Sequence, residues 1–305
     1  MMQTNDIHIG AEPVFEDGYM TASGLRLHYV SAGRGDLILF LHGFPEFWYA
    51  WKNQLEEFGK DHRAVALDMP GFNLSDKPKE LSAYEVGHII ENVWAFAREI
   101  SPNKKFALVA HDWGGYIAWA LAIAYPDVLR RLVIINAPHP AVFARLLRSD
   151  PMQQKASSYM ELFRSAQAEQ ILSANDFEFL SRVMAFGRQN GLPAEDKSEY
   201  VKAWSQPGAI IGGLNYYRAN RLTASSAGDG PSRWSAKVDV PTLVIWGMND
   251  PALLPQNLDG LEEYVTRLAV HRISDASHWL VHTHTKAINQ LIVSNLAGGV
   301  SNASE

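Results

Sequence analysis

Five residues, Ala110-His111-Asp112-Trp113-Gly114, constrain this chain more than any other stretch. They close an apolar run, Phe106 to Ala110, that reads as a buried strand. They also open a second apolar stretch, Tyr116 to Ala124, that reads as a helix. Strand, small residue, x, Asp, x, small residue, helix describes a sharp turn that exposes its central side chain. A carboxylate at that apex has distinctive chemistry. With a reference pKa of about 3.9 it is ionised at neutral pH, whereas a serine there must first lose a proton. Displacement at a saturated carbon gives an alkyl ester that water then hydrolyses. Attack on an amide or ester carbonyl would give a strained anhydride. The turn therefore points to an epoxide or alkyl halide rather than to peptides or lipids.

The flanking sequence supplies the scaffold. Tyr19 to Ala22 and Leu25 to Ser31 read as antiparallel strands joined by a Ser23-Gly24 turn. Leu37 to Leu41, Ala64 to Leu67, Leu132 to Ile135, Thr242 to Trp246 and Ala269 to Ile273 are continuous apolar runs, as expected of strands buried on both faces. Helical periodicity runs over Ser82 to Ile100 and Lys286 to Leu296. This alternation predicts an α/β fold with a mostly parallel, doubly wound sheet. Between Pro138 and Pro231 strand-like runs vanish and aromatic-rich helical segments replace them: Ser157 to Leu172, Asp176 to Phe186, Ala194 to Trp204 and Gly208 to Ala219. The expected division is a core of residues 1–137 and 232–305 with a helical cap, or lid, over 138–231. The tail from Ala297 to Glu305 reads as frayed.

Composition narrows the function. The 305 residues carry a formal charge of -6 and no Lys/Arg cluster, which argues against a nucleic-acid partner. The absence of cysteine excludes disulfides, thiol catalysis and Cys-ligated metals. No run reaches about 18 apolar residues and no secretory leader is visible, so a cytoplasmic monomer or homodimer without membrane contact is expected.

Parallel sheets place chemistry at the carboxyl ends of their strands, and three candidates fall there. Asp112 follows the first, Asp250 lies a few residues past Thr242 to Trp246, and His278 sits in the loop after the last strand. Alone, each also fits a simple turn former. In the order nucleophile, acid, histidine they fit a triad in which His278 activates water and Asp250 fixes its tautomer. His42-Gly43-Phe44-Pro45-Glu46 adds a turn just past a buried strand. The Phe44 N–H, with that of Trp113, would form an oxyanion hole. Pro45 is a candidate cis peptide, although a trans turn proline is the commoner case. No metal-ligand spacing surrounds His42, which reads as structural, and His282-Thr283-His284 reads as exposed loop.

Together, His-Gly-Phe-Pro-Glu, His-Asp-Trp-Gly-Gly and Leu214-Asn-Tyr-Tyr-Arg-Ala219 resemble the soluble-type epoxide hydrolases of the α/β-hydrolase fold, over roughly residues 18 to 295. The resemblance implies a cofactor-free enzyme acting on a small epoxide and water. It also implies two cap tyrosines that hydrogen-bond the epoxide oxygen. Here these are Tyr159, in Tyr159-Met-Glu-Leu-Phe163, and Tyr217, before Arg218. The need is physical, because an alkoxide leaves poorly without a proton donor. Tyr216 reads as packing. Pocket walls are expected from Phe44, Pro45, Trp48, Trp113, Met160, Leu162 and Phe163. The chain departs from the family pattern at Ser277, usually glycine, and over Val281 to Lys286, where glutamate and proline are usual.

Two other readings use the same scaffold. Haloalkane and fluoroacetate dehalogenases share the Asp–His–Asp machinery. The former usually place an asparagine donor where Phe44 stands, and the latter carry arginines where Trp113 and Tyr116 stand. A non-catalytic receptor has no use for the complete triad. A serine esterase would need a Gly-x-Ser-x-Gly turn, which is absent.

Overall fold

The computed structural model describes residues 13–222 and 236–298. Eight strands form one sheet: β1 (Phe15–Ala22), β2 (Leu25–Ala32), β3 (Leu37–Leu41), β4 (Arg63–Leu67), β5 (Phe106–His111), β6 (Leu129–Ile135), β7 (Thr242–Gly247) and β8 (Leu268–Ile273). Their spatial order is β1-β2-β4-β3-β5-β6-β7-β8. β1 pairs antiparallel with β2, and β2 with β4; every later pair is parallel. The β1–β2 turn holds Ser23 at φ 48° and Gly24 at φ 82°, the paired left-handed backbone that a two-residue hairpin of this twist requires.

Helices cover both faces. On one side lie α1 (Lys52–Phe58) and, near the carboxyl terminus, two helices numbered below; on the other lie α2 (Val86–Ile100) and α3 (Asp112–Ala124). The strands alternate accordingly. Ile38 and Phe40 of β3 and Ala107 and Val109 of β5 join the core beneath α1. Leu37, Leu39 and Leu41, with Phe106, Leu108 and Ala110, join the core beneath α2 and α3. Both faces being covered explains why these strands read as unbroken apolar runs.

Between β6 and β7 the described chain is helical: α4 (Pro140–Ser149), α5 (Pro151–Ala156), α6 (Tyr159–Arg164), α7 (Ala168–Ala185), α8 (Ala194–Trp204) and α9 (Ala209–Ala219). The expected cap-to-core boundary at 231/232 lies outside the described residues, as does the tail beyond 298. The expected helix Ser157 to Leu172 is broken: α6 ends at Arg164 and α7 begins at Ala168. α7 is itself interrupted, with Asn175, Asp176 and Phe177 in left-handed backbone at φ 50°, 55° and 57°. Each such residue opposes the helix by roughly 1–2 kcal/mol. Asn and Asp tolerate the conformation best, and the Phe177 ring packs 5.7 Å from that of Trp204. After β8 come α10 (Leu280–Thr283) and α11 (Thr285–Leu296), which pack beside α1. Among the described residues no helix is long and apolar enough to cross a membrane.

Candidate active site

The turn from β5 into α3 puts Asp112 at the first position of the helix, with left-handed backbone at φ 50°. That position is the positive end of the helix dipole. The backbone conformation is costly for a residue with a Cβ, and it aims the carboxylate out of the sheet. Gly43 approaches so closely that a Cβ there would sit 2.0 Å from Asp112 Oδ1. Its neighbour completes the arrangement, since Phe44 N–H donates to Asp112 Oδ1 at 2.8 Å. The Phe44–Pro45 peptide is cis. His42 anchors the loop from below, Nδ1 donating to Gly43 O at 2.8 Å and Nε2 accepting from Met69 N–H at 3.1 Å.

The loop after β8 brings His278 to the same point. Its Nε2 lies 3.7 Å from Asp112 Oδ2, and its Nδ1 donates to Asp250 Oδ2 at 2.6 Å. Asp250 is buried, and its Oδ1 accepts from the N–H groups of Ala252 and Leu253. Burial works against a charge on His278, but the Asp250 and Asp112 carboxylates outweigh it and push its pKa up to about 9. For Asp250, burial opposes ionisation, yet His278 and hydrogen bonds from Leu253 N–H and Asn136 hold its carboxyl below the usual range.

Asn136 is a part the sequence reading passed over. Its Nδ2 donates to Asp250 Oδ2 at 2.5 Å and its Oδ1 accepts from Gly247 N–H at 2.7 Å. One side chain thereby ties the end of β6 to β7 and to Asp250. The available signal was a polar residue ending a buried strand, at left-handed φ 36°.

Tyr159 and Tyr217, from α6 and α9, face Asp112 from the inserted helices. Burial, reinforced by the Asp112 charge, raises the pKa of both phenols, so both carry their protons at neutral pH. Asp112, Tyr159 and Tyr217 separate two cavities. One, of about 260 Å³, is walled by Phe44, Pro45, Phe163, Leu180, Val183 and Trp279, with His278 at its edge. The other, of about 30 Å³, is walled by Trp113, Tyr116, Phe143, Met160 and Leu253.

Three expectations need correction. Trp48 borders neither cavity; the short helical turn after Pro45 carries its indole against Phe15 and Phe47, and its backbone N–H donates to Asp68 Oδ1. Leu162 borders neither as well, because α6 turns Tyr159, Met160 and Phe163 inward and Leu162 onto another face. The 282–284 segment is not all exposed loop. His282 lies in α10 with a side chain only 8% exposed, paired to Glu46. Tyr216 packs as expected, its hydroxyl donating to Pro70 O at 2.9 Å.

A family model described as alpha/beta hydrolase fold matches residues 36–285. The chain belongs to the α/β-hydrolase fold family. Within that family, human Epoxide hydrolase 4 is 39% identical over 282 residues, covering 88% of this chain and 75% of that protein. The AB hydrolase superfamily protein YfhM of Bacillus subtilis is 36% identical, covering 91% and 96%. Among solved α/β-hydrolases, a variant of an epoxide hydrolase from Bacillus megaterium, complexed with its product (R)-3-[1]naphthyloxy-propane-1,2-diol, superposes with a TM-score of 0.87. It is 35% identical and covers 92% of this chain and 100% of that one.

Proposed function

We propose that this α/β-hydrolase converts an epoxide to a vicinal diol through a covalent ester on Asp112. The observation that carries this reading is the placement of two protonated phenols, Tyr159 and Tyr217, at the same cavity as the Asp112 carboxylate. A ring-opening alkoxide needs proton donors; a departing halide does not. The inserted helices serve as a cap that brings those donors to the core's triad.

The two oxygens of Asp112 take different parts. Phe44 N–H holds Oδ1, leaving Oδ2 to attack an epoxide carbon while the phenols hydrogen-bond the epoxide oxygen. A phenol gives its proton to the opening oxygen, and the hydroxyalkyl ester that forms is uncharged, so His278 loses a neighbouring negative charge that had raised its pKa and its imidazolium releases the proton that restores the phenol. The neutral imidazole then takes a proton from water, which attacks the carboxyl carbon of Asp112. Charge develops on Oδ1, where Phe44 N–H waits with the N–H of Trp113 in the first turn of α3. Asp250 stabilises the imidazolium, and collapse releases the diol. No cofactor enters any step.

The two cavities differ almost ninefold in volume, about 260 Å³ against about 30 Å³. The smaller has room for little more than one water or a CH₂ group. A terminal epoxide fits best, with its single bulky, apolar substituent in the larger chamber. The product bound to the Bacillus megaterium enzyme, a terminal diol with an aryl ether substituent, has this shape.

The test is to incubate the protein with styrene oxide and, separately, with 1-bromobutane, measuring diol and bromide release. Diol alone, lost in Asp112→Asn, is expected. Bromide without diol would replace this reading with a dehalogenase.

A further inference from the structure

Behind the triad lies a second buried charged cluster with no part in the chemistry described so far. Glu46, 2% exposed, sits under the oxyanion loop with its N–H donating to Gly43 O at 3.0 Å. Its Oε2 meets His111 Nδ1 at 3.0 Å, and its Oε1 meets His282 Nε2 at 2.5 Å. Tyr200 reaches Oε1 only at 3.4 Å. The far side of His111 touches the triad itself, with Nε2 at 2.9 Å from the backbone oxygen of His278. Both nitrogens of His111 thus face acceptors, one a carboxylate oxygen and the other a backbone carbonyl. The rings of His111 and His278 lie 4.7 Å apart.

We propose that His282 is a positioning residue for ester hydrolysis: its Nε2–H orients the Glu46 carboxylate, Glu46 orients His111, and His111 fixes the backbone of His278. The inference rests on the epoxide hydrolase reading above.

The physical argument concerns what Glu46 does without its partner. A buried carboxylate oxygen deprived of a good donor costs about 1–3 kcal/mol or more. Tyr200 at 3.4 Å is too distant to substitute. Glu46 then recovers by capturing a proton or by swinging toward another donor, and either change disturbs Oε2 against His111. Burial itself opposes a charge on Glu46; His282 and His111 overcome it and hold the carboxyl well below the usual range. The consequence is selective by step. Attack by Asp112 on the epoxide requires no proton transfer to His278. Hydrolysis requires a water held between His278 Nε2 and the Asp112 carboxyl carbon, where small displacements are expensive. Within 281–286 it is His282 that reaches Glu46.

Two variants separate positioning from packing. The amide nitrogen of glutamine stands where histidine Nε2 stands, so His282→Gln keeps the donor. The amide of asparagine stops short, so His282→Asn loses it. The probe is styrene oxide in single-turnover mixing, with the covalent adduct followed by intact-protein mass and the diol by chromatography. In His282→Asn, ester breakdown is expected to slow by about tenfold or more while ester formation stays within about threefold. In His282→Gln both rates are expected within about threefold of wild type. A Glu46→Gln/His282→Asn double variant is expected to be no slower than the slower single variant, since the two act in one chain.

Unchanged ester breakdown in His282→Asn, equal slowing of both steps, a His282→Gln variant as slow as His282→Asn, or additive losses in the double variant would each overturn the proposal. Should His282→Asn fail to fold, slow ester breakdown in His282→Gln overturns it and normal breakdown supports it. Wild-type protein that forms neither ester nor diol is a separate result, which removes the epoxide hydrolase reading and the proposal together.

Discussion

The Nε2 of His278 stands 3.7 Å from the Oδ2 of Asp112, so the base feels the charge of the nucleophile. In the proposed mechanism that distance couples the two half-reactions. The Asp112 carboxylate is one of the charges that, against burial, push the His278 pKa up to about 9. Converting the carboxylate to an ester removes one of the charges that raised it, so the pKa falls and the imidazole becomes a free base when water must be activated. Asp112→Asn imitates the uncharged ester. Its His278 ring is expected to titrate below the wild-type value in an NMR pH titration, and an unchanged titration would break the coupling.

In the proposed mechanism the phenols act on ring opening alone. Tyr159→Phe and Tyr217→Phe are each expected to slow ester formation by about tenfold to a hundredfold, and the double variant by about a thousandfold or more. Ester breakdown should stay near wild type. Rapid quench with an epoxide distinguishes these steps, and a variant that slows breakdown instead would assign the phenols elsewhere.

Asn136 bridges Asp250 and Gly247 with a single amide. In Asn136→Ala both partners lose a buried hydrogen bond, and a stability loss of roughly 2–4 kcal/mol is expected in denaturant unfolding. Turnover should fall further than substrate affinity, because Asp250 then holds His278 less firmly. A variant with normal kcat would leave Asn136 a structural role only.

Leu253 walls the small cavity, while its N–H serves Asp250. Leu253→Ala removes the wall and keeps the N–H. Relative to terminal epoxides, turnover of 2,3-disubstituted epoxides is expected to rise about tenfold, at a stability cost of about 2–5 kcal/mol. Competing styrene oxide against trans-β-methylstyrene oxide measures the change. An unaltered ratio would show that the small chamber does not select the substrate.

Much of this site was legible in the sequence because its parts stand next to strong punctuation. Asp112 sits between a buried strand and a buried helix, and Asp250 and His278 follow strand ends in a parallel sheet. The parts that escaped notice depend on which face a short helix presents. Trp48 and Leu162 are aromatic or apolar neighbours of genuine wall residues, and spacing over a single turn does not fix their direction. His282 looked like loop because α10 is only four residues long, too short for periodicity to register. Asn136 resembles any turn-forming asparagine until its partners, 111 and 114 residues away in sequence, are brought to it by the sheet. The interruption of α7 carries no glycine or proline to announce it.

Because Phe44 pins one oxygen of Asp112, the carboxylate keeps a memory of the solvent. Under the proposed mechanism each hydrolysis leaves Oδ1 in place, exports the attacking oxygen in the diol and installs an oxygen from water in its stead. Transferred abruptly to heavy-oxygen water, the enzyme would release its first diol unlabelled and every later one labelled. The isotope in each product would thus report the water present one turnover earlier. A carboxylate free to flip would blur that record, retaining light oxygen in about half of the second products and in a halving share thereafter.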